Sequence, residues 1–242
     1  MTDKKTALVT GANKGIGFEI SRRMAAEGYR VWLGCRDVQR GAAAVATLRD
    51  AGHDVHLLEL DVASDASVAR AIAELSQQTD HLDALVNNAG LGIGFEFSPL
   101  DEPIGTIKAV YETNTFGPIR VTQAALPLLK ASAAPRVVML SSELGSLHAA
   151  LDPENEFFET NVLGYNSSKT ALNAITVSLA KAAAPFGIKI NAVDPGFTAT
   201  DMTDHAGYRT VGQAAETAVR LATLGSSGPT AGYFKDEATL AW

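Results

Sequence analysis

A chain of 242 residues with 46% hydrophobic and 19% charged residues can bury a substantial core and still carry an ordinary water-exposed surface. Its net charge of −7 argues against a general nucleic-acid-binding or anionic-membrane surface, so an anionic ligand has to be held by local positive charge. Cys35 is the only cysteine, which excludes an internal disulfide and a cysteine-cluster metal site, and the five histidines lack close ligand spacing, so no metal is expected.

The periodic pattern starts at Lys5, leaving no room for a signal or transit peptide, and no apolar run approaches membrane-spanning length. A cytoplasmic location follows as the expectation. The first apolar run, residues 6–9, ends in Thr10-Gly11-Ala12-Asn13-Lys14-Gly15-Ile16-Gly17 and then a helical pattern from Phe18. Strand, glycine-rich turn and helix opening form the phosphate-binding arrangement of a dinucleotide fold. Gly11 suits the tight turn, Gly15 a close backbone approach to pyrophosphate, and Gly17 a helix packed close.

A second strand over 30–34 runs into Cys35-Arg36-Asp37, about 20 residues beyond the glycines, where such folds read the adenosine ribose. Arg36 can bind a 2′-phosphate through paired charge-assisted bonds, and Lys14 can approach the same group. NADP(H) is therefore favoured over NAD, although Asp37 could turn back towards a 2′-hydroxyl. The alternation continues with a helix near 38–51, a strand over 55–60 ending at Asp61-Val62, a helix near 65–77, and a strand over 82–86 ending at Asn87-Asn88-Ala89-Gly90. Strands alternating with helices imply a doubly wound parallel α/β sheet whose ligands lie at the carboxyl ends of the strands.

One long helix is expected from about 104 to 130, with Asn114 inside it, a poor helix former that is tolerable if it faces a polar site. The strand over 136–140 delivers Ser141 and Ser142, and the strand over 188–193 ends at Pro195-Gly196-Phe197-Thr198-Ala199-Thr200. Between them, Tyr165 and Lys169 stand four apart at the start of a helix, so a phenol and an ammonium share one face. A neighbouring cation stabilises phenolate, so Tyr165 is expected to have a lowered pKa and to serve as general acid or base. A helix near 212–224 and a strand near 232–234 complete one domain over residues 1–242, without internal repeat or linker.

Thr10 to Gly17, Asp61-Val62, Asn87-Asn88-Ala89-Gly90, Asn114, Ser141-Ser142, Tyr165 to Lys169 and Pro195-Gly196, in this order, resemble the classical short-chain dehydrogenase/reductase family along nearly the whole chain. Cys35-Arg36-Asp37 with Lys14 is similar to its NADPH-preferring carbonyl reductases. The resemblance implies a Rossmann-type fold and an oxidoreductase that reduces a ketone or aldehyde with NADPH. It implies Tyr165 as proton donor to the carbonyl oxygen, Lys169 on the nicotinamide ribose, Ser142 on the substrate oxygen, and Asn114 holding a water. It places Asp61 and Val62 at the adenine, Asn88, Ala89 and Gly90 on the adenosine side, and Pro195, Gly196, Thr198 and Thr200 at the nicotinamide end.

The segment between Ser142 and Tyr165 is longer than is usual in the family, so 148–160 reads as an insertion, as in monomeric carbonyl reductases; a monomer is expected. Leu91, Gly92, Ile93, Phe95, Glu143, Leu144, Phe197, Met202 and Tyr208 are the expected substrate-pocket residues, in a fairly open site suited to a hydrophobic small-molecule carbonyl or alcohol. Two alternatives stand beside the carbonyl reductase. A 3-oxoacyl-carrier-protein reductase uses the same four catalytic residues but should carry a basic patch at the pocket, which residues 197–211 lack. A non-catalytic NADP-binding regulator ranks below both, because Ser142, Tyr165, Lys169 and Asn114 are all present.

Overall fold

Runs such as Thr6–Thr10 and Arg136–Leu140 are buried at every position, so neither face of these strands can be wet and helices must cover both. The computed structural model describes residues 4–242. It places β1 (Thr6–Thr10), β2 (Arg30–Cys35), β3 (Val55–Glu59), β4 (Ala84–Asn87), β5 (Arg136–Leu140), β6 (Lys189–Val193), β7 (Tyr233–Lys235) and β8 (Ala238–Thr239) in one sheet. The strand order is β3-β2-β1-β4-β5-β6-β7-β8. Neighbours run parallel throughout, with Leu8 opposite Trp32 and Leu85, until β7 and β8 close the edge as an antiparallel pair. The short β8 carries no apolar alternation and was not legible in the sequence.

The helices are α1 (Gly15–Ala26), α2 (Val38–Asp50), α3 (Asp65–Ser76), α4 (Ile104–Tyr111), α5 (Gly117–Ala131), α6 (Leu147–Ala150), α7 (Leu163–Ala183) and α8 (Val211–Ala222). Ile20 and Met24 of α1, Leu48 of α2 and Ala218 and Leu221 of α8 build a core on one face of the sheet. Val68 and Leu75 of α3, Val121 and Leu129 of α5 and Leu172 of α7 build the core on the other. Truncating one of these leucines to alanine costs about 2–5 kcal/mol. Strand order reverses between β1 and β4, which opens a crevice outside the carboxyl ends of those strands.

The single helix expected over 104–130 is broken. A π-helical turn, Glu112–Phe116, separates α4 from α5 and carries Asn114. Such a turn adds a residue to the helical circuit and is frequent at functional sites. The α-helix resumes at Gly117, packed so close to Val62 that a Cβ would meet its Cγ2 at 2.9 Å. No helix of the described residues is long and apolar enough to cross a membrane.

Candidate active site

The glycine turn follows β1 directly. Gly11 takes φ +64 and lies against Ala89, where a Cβ would come within 2.8 Å of its Cα. Gly17 faces the Asn88 amide and the Gly11 carbonyl, leaving no space for a side chain. Asn88 is the tie of this turn: its Nδ2 donates to the carbonyls of Thr10 at 2.8 Å and Gly11 at 3.1 Å. Thr10 Oγ1 in turn accepts from the backbone N–H groups of Asn88 and Ala89, each at 3.0 Å. Asn88 and Ala89 thus fix the shape of the glycine turn through their own hydrogen bonds.

Whether these residues fit an anionic cofactor can be judged from the start of α1. Asp37, Ser64 and Thr210 cap α2, α3 and α8 with their side chains, whereas Lys14 at the N-cap of α1 makes no such bond and the first turn holds no acidic residue. The N–H groups of Gly15, Ile16 and Gly17 therefore face outward with the positive end of the helix dipole, which suits a pyrophosphate. Gly15, at φ +56, would bring a Cβ into ordinary contact with Thr200, whose methyl carbon lies at 3.5 Å, and Asn13 lies half-buried in the same turn.

Arg36 is exposed beyond β2 and makes no ion pair among the described residues. Asp37 does not turn back, because its carboxylate accepts from the Arg40 N–H at 3.0 Å and meets the Arg40 guanidinium at 3.3 Å. Lys14 has a partner that the sequence did not suggest, Asp201, at 2.6 Å. Asp61 accepts from the Ala63 N–H at 3.0 Å, and Val62 is buried against α5, both just beyond the carboxyl end of β3.

The catalytic candidates meet at the carboxyl ends of β5 and β6. The two serines part ways: Ser141 is buried and donates to Asn173 Oδ1 at 2.5 Å, while the half-buried Ser142 lies at the Tyr165 hydroxyl. The Lys169 ammonium stands 5.7 Å from the centre of the Tyr165 ring and donates to the Leu140 carbonyl at 2.8 Å. The expected lowering of Tyr165 is not what the geometry gives. Burial pushes the phenol up to about 12 against the pull of Ser142, with the Asp194 carboxylate adding to the rise. The same burial brings Lys169 down to about 8. Desolvation penalises whichever form is charged, and here it acts on both partners.

Asn114 is buried and bonds Leu91 in both directions, which places the half-buried Leu91 over the site. Phe95 packs on Tyr165 with ring centres 5.5 Å apart. Phe157, Phe197 and Tyr208 form a second aromatic run, at 6.4 and 6.0 Å, and Tyr208 donates to Glu156 at 2.8 Å. Met202 lies across Gly90 and Gly92, while Phe95, Ile93, Met202 and Tyr208 stay exposed at the rim. Thr198 folds the turn after Pro195 by donating to Gly196 at 2.9 Å, and Thr200 opens the short helical turn 201–203.

Segment 148–160 is not a detached loop. Its Asn155 donates to Glu143 at 2.7 Å, and with Glu143, Leu144 and Asn166 it lines an open cavity of about 320 Å³. Glu143 is also held by Lys235 at 2.8 Å, and Lys235 meets the buried Asp194 at 3.2 Å. Of this group only Glu143 was singled out in the sequence. Asp194 had a usable signal, a carboxylate at a strand's carboxyl end just before Pro195-Gly196; Lys235 on the last parallel strand had none. No cluster able to hold a metal occurs among the described residues.

Residues 5–209 match the family model for short chain dehydrogenase. The chain belongs to the short-chain dehydrogenase family. It is 36% identical over 281 aligned positions to (+)-neomenthol dehydrogenase of Arabidopsis thaliana, covering 94% of each chain. It resembles the structure of salutaridine reductase from Papaver somniferum with a TM-score of 0.82 at 30% identity, covering 96% of this chain and 100% of that one. It also resembles NADPH-bound carbonyl reductase from chicken fatty liver, with a TM-score of 0.87 at 27% identity and 99% of both chains covered. As a short-chain dehydrogenase the chain is an oxidoreductase of the nicotinamide-using kind.

Proposed function

We propose that this short-chain dehydrogenase uses NADPH to reduce the carbonyl of a hydrophobic, ring-bearing ketone or aldehyde, reversibly. The observation that carries the reading is the meeting of Ser142, Tyr165 and Lys169 at the edge where the glycine turn and Arg36 also open. A bound nicotinamide supplies the hydride. Tyr165, which keeps its proton well above neutral pH, hands that proton to the carbonyl oxygen, and Ser142 steadies the same oxygen by hydrogen bonding. Lys169 holds the nicotinamide ribose, adding a partner to an ammonium that otherwise has the Leu140 carbonyl.

The preference for NADPH rests on Arg36, free to take a 2′-phosphate, and on Asp37, whose carboxylate is occupied at the start of α2. Gly11, Asn13, Lys14, Gly15, Ile16 and Gly17 hold the pyrophosphate side, and Asp61, Val62 and Gly90 the adenosine side. Pro195, Gly196, Thr198 and Thr200 border the nicotinamide. The substrate class is supported by the aromatic surfaces of Phe95, Phe157 and Phe197, and by the neomenthol and salutaridine in the names of the relatives. A monomer remains the proposed state, resting on the inserted segment 148–160, and a cytoplasmic location is proposed from the lone cysteine, Cys35.

A carrier-protein reductase is less well supported. Lys14, Arg209 and Lys235 are paired with Asp201, Asp236 and Glu143, so among the described residues these rim cations form no basic patch for an acidic partner. The deciding experiment follows NADPH and NADH oxidation over menthone, an aryl ketone, an aliphatic aldehyde and an acyl thioester, with Tyr165→Phe as control. Turnover of menthone or the aryl ketone with NADPH, lost in the variant, supports the reading. Turnover of the thioester alone favours the carrier-protein reductase, and tight NADPH binding without any turnover favours the regulator.

A further inference from the structure

Lys235 lies outside every motif that marks the site, yet it reaches the site's floor from β7. Its ammonium lies between two carboxylates, Glu143 at 2.8 Å and Asp194 at 3.2 Å, and it is mostly buried. Glu143 follows Ser142 directly and uses its other oxygen to hold Asn155 of segment 148–160. Asp194, 3% exposed, precedes Pro195 directly and accepts from the Gly196 N–H at 3.0 Å. One cation therefore gathers three pieces of the site: the turn after Ser142, the inserted segment and the turn after β6.

We propose that Lys235 is a positioning residue for the reaction, tying the inserted segment to the catalytic turns and cancelling the charge of Asp194 beside Tyr165 and Lys169. This inference rests on the role given above to Tyr165. A buried carboxylate that loses its counter-ion keeps its field in a medium that screens poorly. The charged and titratable groups around Tyr165 are Lys169 from α7, Asp194 from the end of β6, Glu143 from the turn after β5, and Tyr233 and Lys235 from β7. Tyr208 and Arg209 lie on the segment beyond Phe197, with Arg209 taken up by Asp236. Among them, only Lys235 reaches Glu143 and Asp194 together. The Asp194 charge disfavours a Tyr165 phenolate, the form that accepts a proton when an alcohol is oxidised.

The test compares wild type with Lys235→Met, Lys235→Arg, Asp194→Asn/Lys235→Met and Tyr165→Phe in two measurements. The first is the pH profile of NADP+-dependent neomenthol oxidation; the second is the rate of limited proteolysis within 148–160, which requires no substrate. Lys235→Met is expected to move the rising limb of the profile to higher pH, with an activity loss of about tenfold on that limb for each unit moved. It is also expected to speed cleavage of the segment. Lys235→Arg should restore both. The double variant, which leaves no lone charge at Asp194 and covers the case where Lys235→Met does not fold, should return the limb to the wild-type position or below it while the segment stays labile. Purely structural damage would lower the rate without moving the limb. A Lys235→Met enzyme with the wild-type limb and wild-type cleavage rate overturns the proposal. If Tyr165→Phe oxidises neomenthol like wild type, or wild type does not oxidise it, the reading of the site fails instead. Proteolysis then decides the Lys235 tie.

Discussion

Asn114 and Leu91 grip each other from both sides: the Leu91 N–H donates to Oδ1 at 2.7 Å and Nδ2 donates to the Leu91 carbonyl at 3.0 Å. Nδ2 also reaches Ser168 Oγ at 3.2 Å, so both amide hydrogens are used and one Oδ1 lone pair is left for a water. The π-helical turn presents the residue in this position. Replacing Asn114 by Ala strips both backbone groups of Leu91 of their partners, and unfolding in urea should show a loss of about 2–4 kcal/mol. Activity should fall more than the folded fraction does, because Leu91 borders the site.

Arg36 and Asp201 should act in opposite senses on the cofactor. Arg36→Ala is expected to raise the KM for NADPH about tenfold or more while leaving that for NADH nearly unchanged, since a charge-assisted pair with phosphate is worth about 1.5–3 kcal/mol. Lys14 must leave Asp201 to reach the same phosphate, and an exposed ion pair of this kind resists by only about 0–1 kcal/mol. Asp201→Asn frees Lys14 and removes a negative charge from the approach path. Its KM for NADPH should therefore fall a few-fold, and equal KM values in variant and wild type would remove Lys14 from the phosphate site.

Arg136 makes a stability prediction away from the chemistry. Arg136 is 2% exposed, and among the described residues its guanidinium donates only to carbonyls: Leu224 at 3.0 Å, Pro135 at 2.8 Å and Gly225 at 2.7 Å. Lysine cannot reproduce three bonds from a planar fork. Arg136→Lys and Arg136→Met should both lower stability, the latter by about 2–4 kcal/mol, or roughly 5–15 °C in Tm. At low temperature kcat should stay at the wild-type value.

Much of this architecture was written in short-range pattern. Short runs with apolar centres, separated by helical periodicity, gave the sheet, and Gly11 and Gly17 occupy places where a Cβ has no space. The glycine turn, Arg36 and Ser142 were legible because each lies just beyond a strand end, and Tyr165 and Lys169 because they stand four apart at the start of a helix. The π-helical turn was not, since Glu112-Thr113-Asn114-Thr115-Phe116 continues a helical pattern and the bonds that turn Asn114 inward come from Leu91 and Ser168. Pairings between distant positions were equally hidden: Lys14 and Asp201 are 187 residues apart, and Glu143 and Lys235 are 92. The direction of the Tyr165 shift was misjudged for a related reason. Sequence spacing reveals a neighbouring cation, whereas desolvation depends on everything packed around the pair.

That desolvation gives Lys169 a signature in stability. Its folded pKa of about 8 lies below the ordinary lysine value of 10.5, so between these limits the unfolded chain binds a proton that the folded chain does not. Stability contributed by this group therefore rises with pH from about 8 to 10.5 and is lost as pH falls through 8, where folding must bury a charge. Tyr165 acts in the opposite sense at higher pH: its phenol, held near 12, keeps a proton that the unfolded chain releases near 10. From pH 8 to 9 the lysine acts before the phenol does. Unfolding free energies measured in urea across that range should climb for wild type and climb less for Lys169→Met, which at pH 7 should be more stable by about 1–3 kcal/mol although inactive. Parallel slopes for the two proteins would mean that Lys169 is solvated in solution and that burial does not set its charge.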